Sequence, residues 1–138
     1  DALPIVLETS KKLNMSPHTI RYYTNVGLVP SLEYDEHGNR VFDGDDLNWL
    51  LCARFLRESG MPVAQVKHYF SLCQQGDSTI QERFDILLKL QEQTEGELKQ
   101  IQRRADCINN KIEHCRRILA RQIPDDCNPI YWPADSLN

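Results

Sequence analysis

No apolar run in the 138 residues approaches the roughly 18 needed to cross a bilayer, and no short apolar segment follows a basic start as in a signal peptide. With neither feature present, no membrane partner is expected and a cytoplasmic location is. Cysteine is scattered. The five, at positions 52, 73, 107, 115 and 127, form no C-x-x-C pair, and their odd number and wide spacing fit reduced thiols rather than a disulfide framework. Also missing are a Ser/His/Asp or Cys/His grouping and a phosphate-cradling glycine loop, so neither catalysis nor a cofactor is expected. Basic residues are in deficit: 16 Lys and Arg stand against 20 Asp and Glu, a net charge of −4, and residues 1–75 carry 7 against 9. Crude attraction to a polyanion is therefore excluded, and any nucleic-acid contact has to arise from local placement of a few cations. The chain opens on Asp1 rather than Met, so a trimmed start is expected.

What is present reads as a mainly α protein. The apolar fraction of 41% and charged fraction of 26% are ordinary for a globular chain, and the length suits one modest core plus an extended element. Val6, Leu7, Ser10 and Leu13 predict a first helix of about two turns, broken over Asn14 to Ser16. Ser16-Pro17 starts a second helix, which runs to about Asn25 and ends in a left-handed cap at Gly27. Between Ser31 and Phe42, Leu32 and Tyr34 precede a Gly38-containing turn that leads to Val41-Phe42, the pattern of a small hairpin. Asp43 caps a third helix with Leu47, Leu50, Leu51, Arg54 and Phe55 as its stripe. Pro62 opens a fourth, with Val63, Val66, Tyr69, Phe70 and Cys73 inward.

From Ile80 the spacing changes character. Ile80, Phe84, Leu87, Gln91, Thr94, Leu98, Ile101, Ala105, Ile108, Ile112, Cys115 and Leu119 follow one another in unbroken steps of four and three. This is a heptad seam, on a helix expected over about 78–122 and opened by a Thr79/Glu82 capping box. One small core cannot bury such a seam, so a second copy of the chain is the expected partner. The expected divisions are residues 1–76 as the head, 77–122 as the dimerisation helix and 123–138 as an irregular tail. The tail's Ile130, Tyr131 and Trp132 are candidates to dock on the long helix.

Two short helices joined by a tight turn, followed by a hairpin, fit a winged helix-turn-helix whose second helix enters the major groove. Ser16, His18 and Thr19 then sit at the helix N-terminus, where the dipole favours phosphate, and Arg21, Tyr22 and Tyr23 are placed to grip the backbone. The plainer alternative makes Ile20, Tyr23 and Leu28 core and Arg21 a solvated charge. The residues themselves sharpen the choice. Ser16-Pro17-His18-Thr19-Ile20-Arg21-Tyr22-Tyr23, then Val26-Gly27-Leu28-Val29-Pro30, resembles the recognition segment of MerR-family regulators. The resemblance continues through Asn39-Arg40-Val41-Phe42, Asp45-Asp46-Leu47 and Leu56-Arg57-Glu58-Ser59-Gly60-Met61-Pro62, and covers about residues 5–120.

The resemblance implies a homodimer joined by an antiparallel coiled coil and bound to a palindromic double-stranded promoter spacer. It further implies distortion of that spacer so that RNA polymerase engages both promoter elements. Carried onto this chain, the contacts are Thr19, Arg21, Tyr22 and the wing's Arg40, then Ser16, His18 and Tyr23. The wing departs from the family in being acidic over Ser31-Leu32-Glu33-Tyr34-Asp35-Glu36. Some 16 residues after the long helix leave no room for a large ligand domain.

Gln75-Gly76-Asp77-Ser78-Thr79-Ile80, with Arg83, Leu87-Leu88 and Gln91, resembles the subgroup linked to aldehyde and thiol stress. At the position of that subgroup's reactive cysteine stands Phe55. Cys52, one turn earlier, is the candidate sensor thiol, with Arg54 and Arg57 as the sequence-local cations; the alternative is an inert core thiol. The rival within the family is metal sensing. Such relatives use a cysteine at the start of the long helix, where this chain has Ser78 and Thr79, and others in a loop at its end. Cys115 reads as seam filler, while Cys127 could join Cys107 or Cys115 across a dimer. His37 and His114 read as surface residues, and no metal ligand is assigned. Outside the family, a coiled-coil adaptor without DNA remains the other reading of the long helix.

Overall fold

The structure, a computed structural model, describes residues 5–136. Among them are five α-helices and one hairpin: α1 (Val6–Leu13), α2 (Pro17–Asn25), β1 (Glu33–Tyr34), β2 (Arg40–Val41), α3 (Gly44–Glu58), α4 (Val63–Gln75) and α5 (Ile80–Leu119). The early boundaries fall where local chemistry puts them. The Ser16 hydroxyl accepts the Thr19 amide at 3.0 Å, with Pro17 in the first turn, and so starts α2. After α2, Gly27 takes φ +84°, which lets the Leu28 amide reach back to the Tyr23 carbonyl at 2.9 Å.

The hairpin is antiparallel, with Glu33 opposite Val41 and Tyr34 opposite Arg40. Its turn is organised by Asp35, whose carboxylate accepts the amides of Asn39 at 2.8 Å and His37 at 2.9 Å. Those bonds, the one from Asn39 foremost, hold the Asp35 carboxyl below the usual carboxylate range. Next, Asp43 and Asp46 form a reciprocal capping box at the start of α3: the Asp43 side chain accepts the Asp46 amide at 2.8 Å, and Asp46 accepts the Asp43 amide at 3.0 Å. The second oxygen of the buried Asp46 carboxylate takes the Ser31 hydroxyl at 2.6 Å, tying the wing's entry to α3.

The chain divides at Thr94/Glu95, within α5, into two compact units. The first holds the core, in which Ile20 of α2, Leu28, Phe42 after the wing, Leu50 of α3, Met61, and Val66 and Phe70 of α4 are enclosed. Enclosing each such side chain is worth about 1.5–3 kcal/mol. Trp49 and Phe70 meet at a ring separation of 4.7 Å with tilted planes, and Ile86 and Leu90 of α5 pack against the same cluster. In the second unit α5 continues to Leu119, and the tail folds back over it. Of the three tail residues expected to dock, Trp132 does so: its Nε1 donates to the Asp126 carbonyl at 2.7 Å and Lys111 Nζ lies 5.8 Å from its ring centre. Ile130 and Tyr131 stay exposed.

Two expectations are corrected. The buried stripe of α3 is Asp46, Leu50, Ala53 and Leu56, and Leu51 and Phe55 face outward, Phe55 at 67% exposure. The capping box draws Asp46 inward, and that phase carries Ala53 and Leu56 into the core in place of Phe55. The second concerns the start of α5, where the Thr79/Glu82 capping box does not form. Thr79 is buried in a 3-10 turn, Asp77–Thr79, with its hydroxyl 2.6 Å from the Leu72 carbonyl and 2.8 Å from that of Gly76. Carbonyls at the end of a helix lack an internal partner, and Thr79 supplies one to α4. Glu82 turns instead to His68, at 3.3 Å. No helix among the described residues is long and apolar enough to cross a membrane.

Candidate nucleic-acid interface

Helix α2 buries Ile20 and Tyr23, which leaves His18, Arg21 and Tyr22 on the outward side. The α1–α2 pair thus offers one polar edge, and the start of α2 is rich in hydroxyls: Ser16 Oγ donates to Thr19 Oγ1 at 2.7 Å while capping the helix. Ser16 and His18 are exposed and Thr19 is half-buried behind them. Tyr23, at 7% exposure, belongs to the core and seats the helix, with its ring 6.1 Å from that of Tyr22.

The wing joins this edge through Arg40. Its Nη2 donates to Asn25 Oδ1 at 2.6 Å, locking β2 to the last residue of α2 across fifteen positions of sequence. Its Nε is enclosed yet has no acceptor among the described residues. Beside it opens a cavity of about 260 Å³ lined by Ile5, Val6, Leu7, Arg21, Gly38, Asn39 and Arg40. Arg21 and Arg40 thus line one cavity together with the first turn of α1, which has no side-chain cap. Hydrogen bonds from guanidinium groups to an anionic oxygen are charge-assisted and so among the stronger kind. The sequence pointed to Arg21 and Arg40 separately. It missed Asn25 and the start of α1, because no one-dimensional spacing pairs a helix-ending Asn with a wing residue or an α1 amide with a turn.

Cys52 lies on α3, away from this edge in sequence, half-buried at a cavity also lined by Ser31, Asp45, Asn48 and Trp49. Burial pushes its thiol above the ordinary value, and the neighbouring Cys73 adds to the effect. The two arginines nearest in sequence are turned to other work: Arg54 donates to the Leu13 carbonyl at 2.6 Å and Arg57 to that of Met61 at 2.8 Å.

A capped second helix, a wing bonded to its far end and a cavity lined by two arginines are the parts of a winged helix-turn-helix head. The family model described as MerR HTH family regulatory protein matches residues 6–73. An uncharacterised HTH-type transcriptional regulator of Haemophilus influenzae is 30% identical over 113 residues, 82% of this chain and 84% of its own. The regulator AdhR of Bacillus subtilis is 29% identical over 82 residues, 59% of each chain. Among solved structures, HiNmlR, described as a MerR family regulator lacking the sensor domain and bound to promoter DNA, superposes with a TM-score of 0.67. It is 27% identical and the match covers 87% of this chain and 94% of that one. The chain belongs to the MerR family of transcriptional regulators and is not an enzyme.

Proposed function

We propose that two copies of this chain pair through the α5 seam as an antiparallel coiled coil and bind a palindromic promoter spacer, each copy reading one half-site. The observation that carries this reading is the cavity that Arg21 and Arg40 both line, with an enclosed Arg40 Nε that has no acceptor among the described residues. Thr19, Arg21, Tyr22 and Arg40 hold phosphates, Ser16 and His18 stand where the start of α2 meets the groove, and Tyr23 sets the helix angle from below. With phosphates gripped on both sides of the wing joint, the gain offsets a deformation of the spacer that costs on the order of several kcal/mol, and RNA polymerase reads the altered shape. HiNmlR, bound to promoter DNA, supports the duplex as partner.

The signal is a small reactive or stress species, on the resemblance of residues 75–91. Cys52 is its sensor only if binding of DNA or a second chain brings it a cation. In the free chain its alkylation should be slow and should rise only above the pH range of an ordinary thiol; fast alkylation at neutral pH would overturn the burial argument. The duplex reading is tested by binding to a palindromic promoter fragment across salt. A linear fall of log affinity with log salt, with a slope near −0.9 per phosphate contact, is expected. A flat salt profile would point to an adaptor without DNA.

A further inference from the structure

Along α5 the charges beside the seam are unevenly spread. On one flank, each one residue before a seam position, stand Arg83, Leu90, Glu97, Arg104, Lys111 and Ile118. On the other, each one residue after, stand Gln81, Leu88, Glu95, Gln102, Asn109 and Arg116. Acidic flanking residues are thus confined to 95 and 97, and from 104 onward the flanking charges are basic. Leu98 and Ile101 at the centre of the seam are exposed, as are Glu97 and Arg104 beside them. From this pattern we propose that Glu97 and Arg104 set the register in which two copies of the chain pair. Leu98 of one copy meets Ile101 of the other at the centre, and each Glu97 carboxylate faces the Arg104 guanidinium of the second copy. The inference rests on the coiled-coil reading above and names the residues that choose among the ways two such seams can meet.

In an antiparallel pair the two-fold axis keeps a flank on its own side of the interface, so each flank meets its counterpart; in a parallel pair it meets the other flank. With Leu98 on Ile101, Glu97 meets Arg104, Leu90 meets Lys111 and Arg83 meets Ile118, while Glu95 meets Gln102. The symmetry makes two ion pairs and no like-charge contact, and every seam residue from Ile80 to Leu119 has a layer. Sliding one copy by a heptad in one direction sets Glu97 on Glu97 and Arg83 on Lys111. Sliding it the other way offers Glu97 to Lys111, but it sets Arg104 on Arg104 and strips Ile80 and Phe84 of their layers. A parallel pair sets Lys111 against Arg116 on both sides. Side-chain size points the same way. In the proposed register Phe84 shares a layer with Cys115, large against small. A parallel pair would crowd two Phe84 rings into one layer and leave two Ala105 methyls to fill another, an overpacked layer beside an underfilled one. Exposed ion pairs add little adhesion. Their effect is to select among arrangements that bury similar apolar stripes, since each wrong one brings like charges together.

The experiment measures the dimer dissociation constant of the full chain by sedimentation at low salt. Glu97→Arg and Arg104→Glu, each alone, place like charges at both pairs and should weaken the dimer about tenfold. The double variant Glu97→Arg/Arg104→Glu exchanges the charges and should return to within about threefold of the native chain. Mixing the two single variants should give the heterodimer in preference to either homodimer. Glu95→Arg makes the same change in net charge on the other flank, opposite Gln102, and should cost less than Glu97→Arg. All the substituted side chains are exposed, and unchanged circular dichroism checks their folding. A dimer indifferent to both single variants, a double variant no better than the singles, or an equal loss in Glu95→Arg would overturn the register while leaving the coiled coil standing. A native chain that stays monomeric would overturn the coiled-coil reading and the register with it.

Discussion

The two units of this chain, divided at Thr94/Glu95, spend apolar side chains in opposite ways. Every described residue that is fully buried belongs to the first, where Leu28, Phe42, Leu50 and Phe70 converge from different elements. In the second, Leu98, Ile101, Ile108, Ile112 and Leu119 are all exposed, Leu119 at 82%. The difference does not lie in composition, since both units have the aliphatic residues a core requires. It lies in geometry. Short helices of differing direction enclose a volume, whereas one straight helix offers only a stripe, and a stripe is buried by another helix or not at all. The first unit encloses a core of its own, and on the reading proposed above the seam is covered by a second copy of the chain.

The contrast can be broken in four places. Ile101→Pro removes a helix hydrogen bond and clashes with the preceding turn in the middle of the seam, at a cost of about 3 kcal/mol or more in each chain. Dimerisation should be abolished, as read by sedimentation, while the head keeps its folded signal; a variant of normal dimer mass would sink the coiled-coil reading. Phe70→Ala acts on the other unit, removing a ring packed on Trp49 in the core, and should destabilise the head by about 3–5 kcal/mol in denaturant unfolding. A loss below 1 kcal/mol would show that the core tolerates the void. Arg40→Ala or Arg21→Ala leaves both units folded and strips the cleft. Each should weaken duplex binding by about 1.5–3 kcal/mol and flatten the salt slope by about one contact, and equal gel-shift affinity in both variants would refute the cleft. The smallest effect is expected of Asp43→Ala, which loses one half of the α3 capping box for about 1 kcal/mol in thermal unfolding. No change there would mean that Asp46 and Ser31 hold the start of α3 unaided.

Much of the fold was legible because its signals are local. Ser16-Pro17, Gly27 and Asp43 act within a few residues of themselves, and α2 runs from Pro17 to Asn25 as the capping chemistry requires. The seam was legible for the same reason, as a period repeated along one helix. Phe55 was misplaced because apolar spacing on α3 is satisfied by two overlapping stripes, and Asp46, a charged residue, decides between them by going inside. Thr79 was misplaced because its better partner is the orphan carbonyl of Leu72, seven residues back on another helix.

The same division runs through the functional residues. Arg21 and Arg40 are candidates by residue type in a recognisable order, and the sequence by itself determined the family head, the starts of α2 and α3 and the heptad face, since each depends on neighbours a turn or two away. Only the tertiary structure decided that Arg40 bonds to Asn25, that Tyr23 is core, and that His114 stands beside Asp126. Those pairings join residues with no fixed spacing. Their contact depends on where a hairpin or a tail comes to rest once the packing around it is settled.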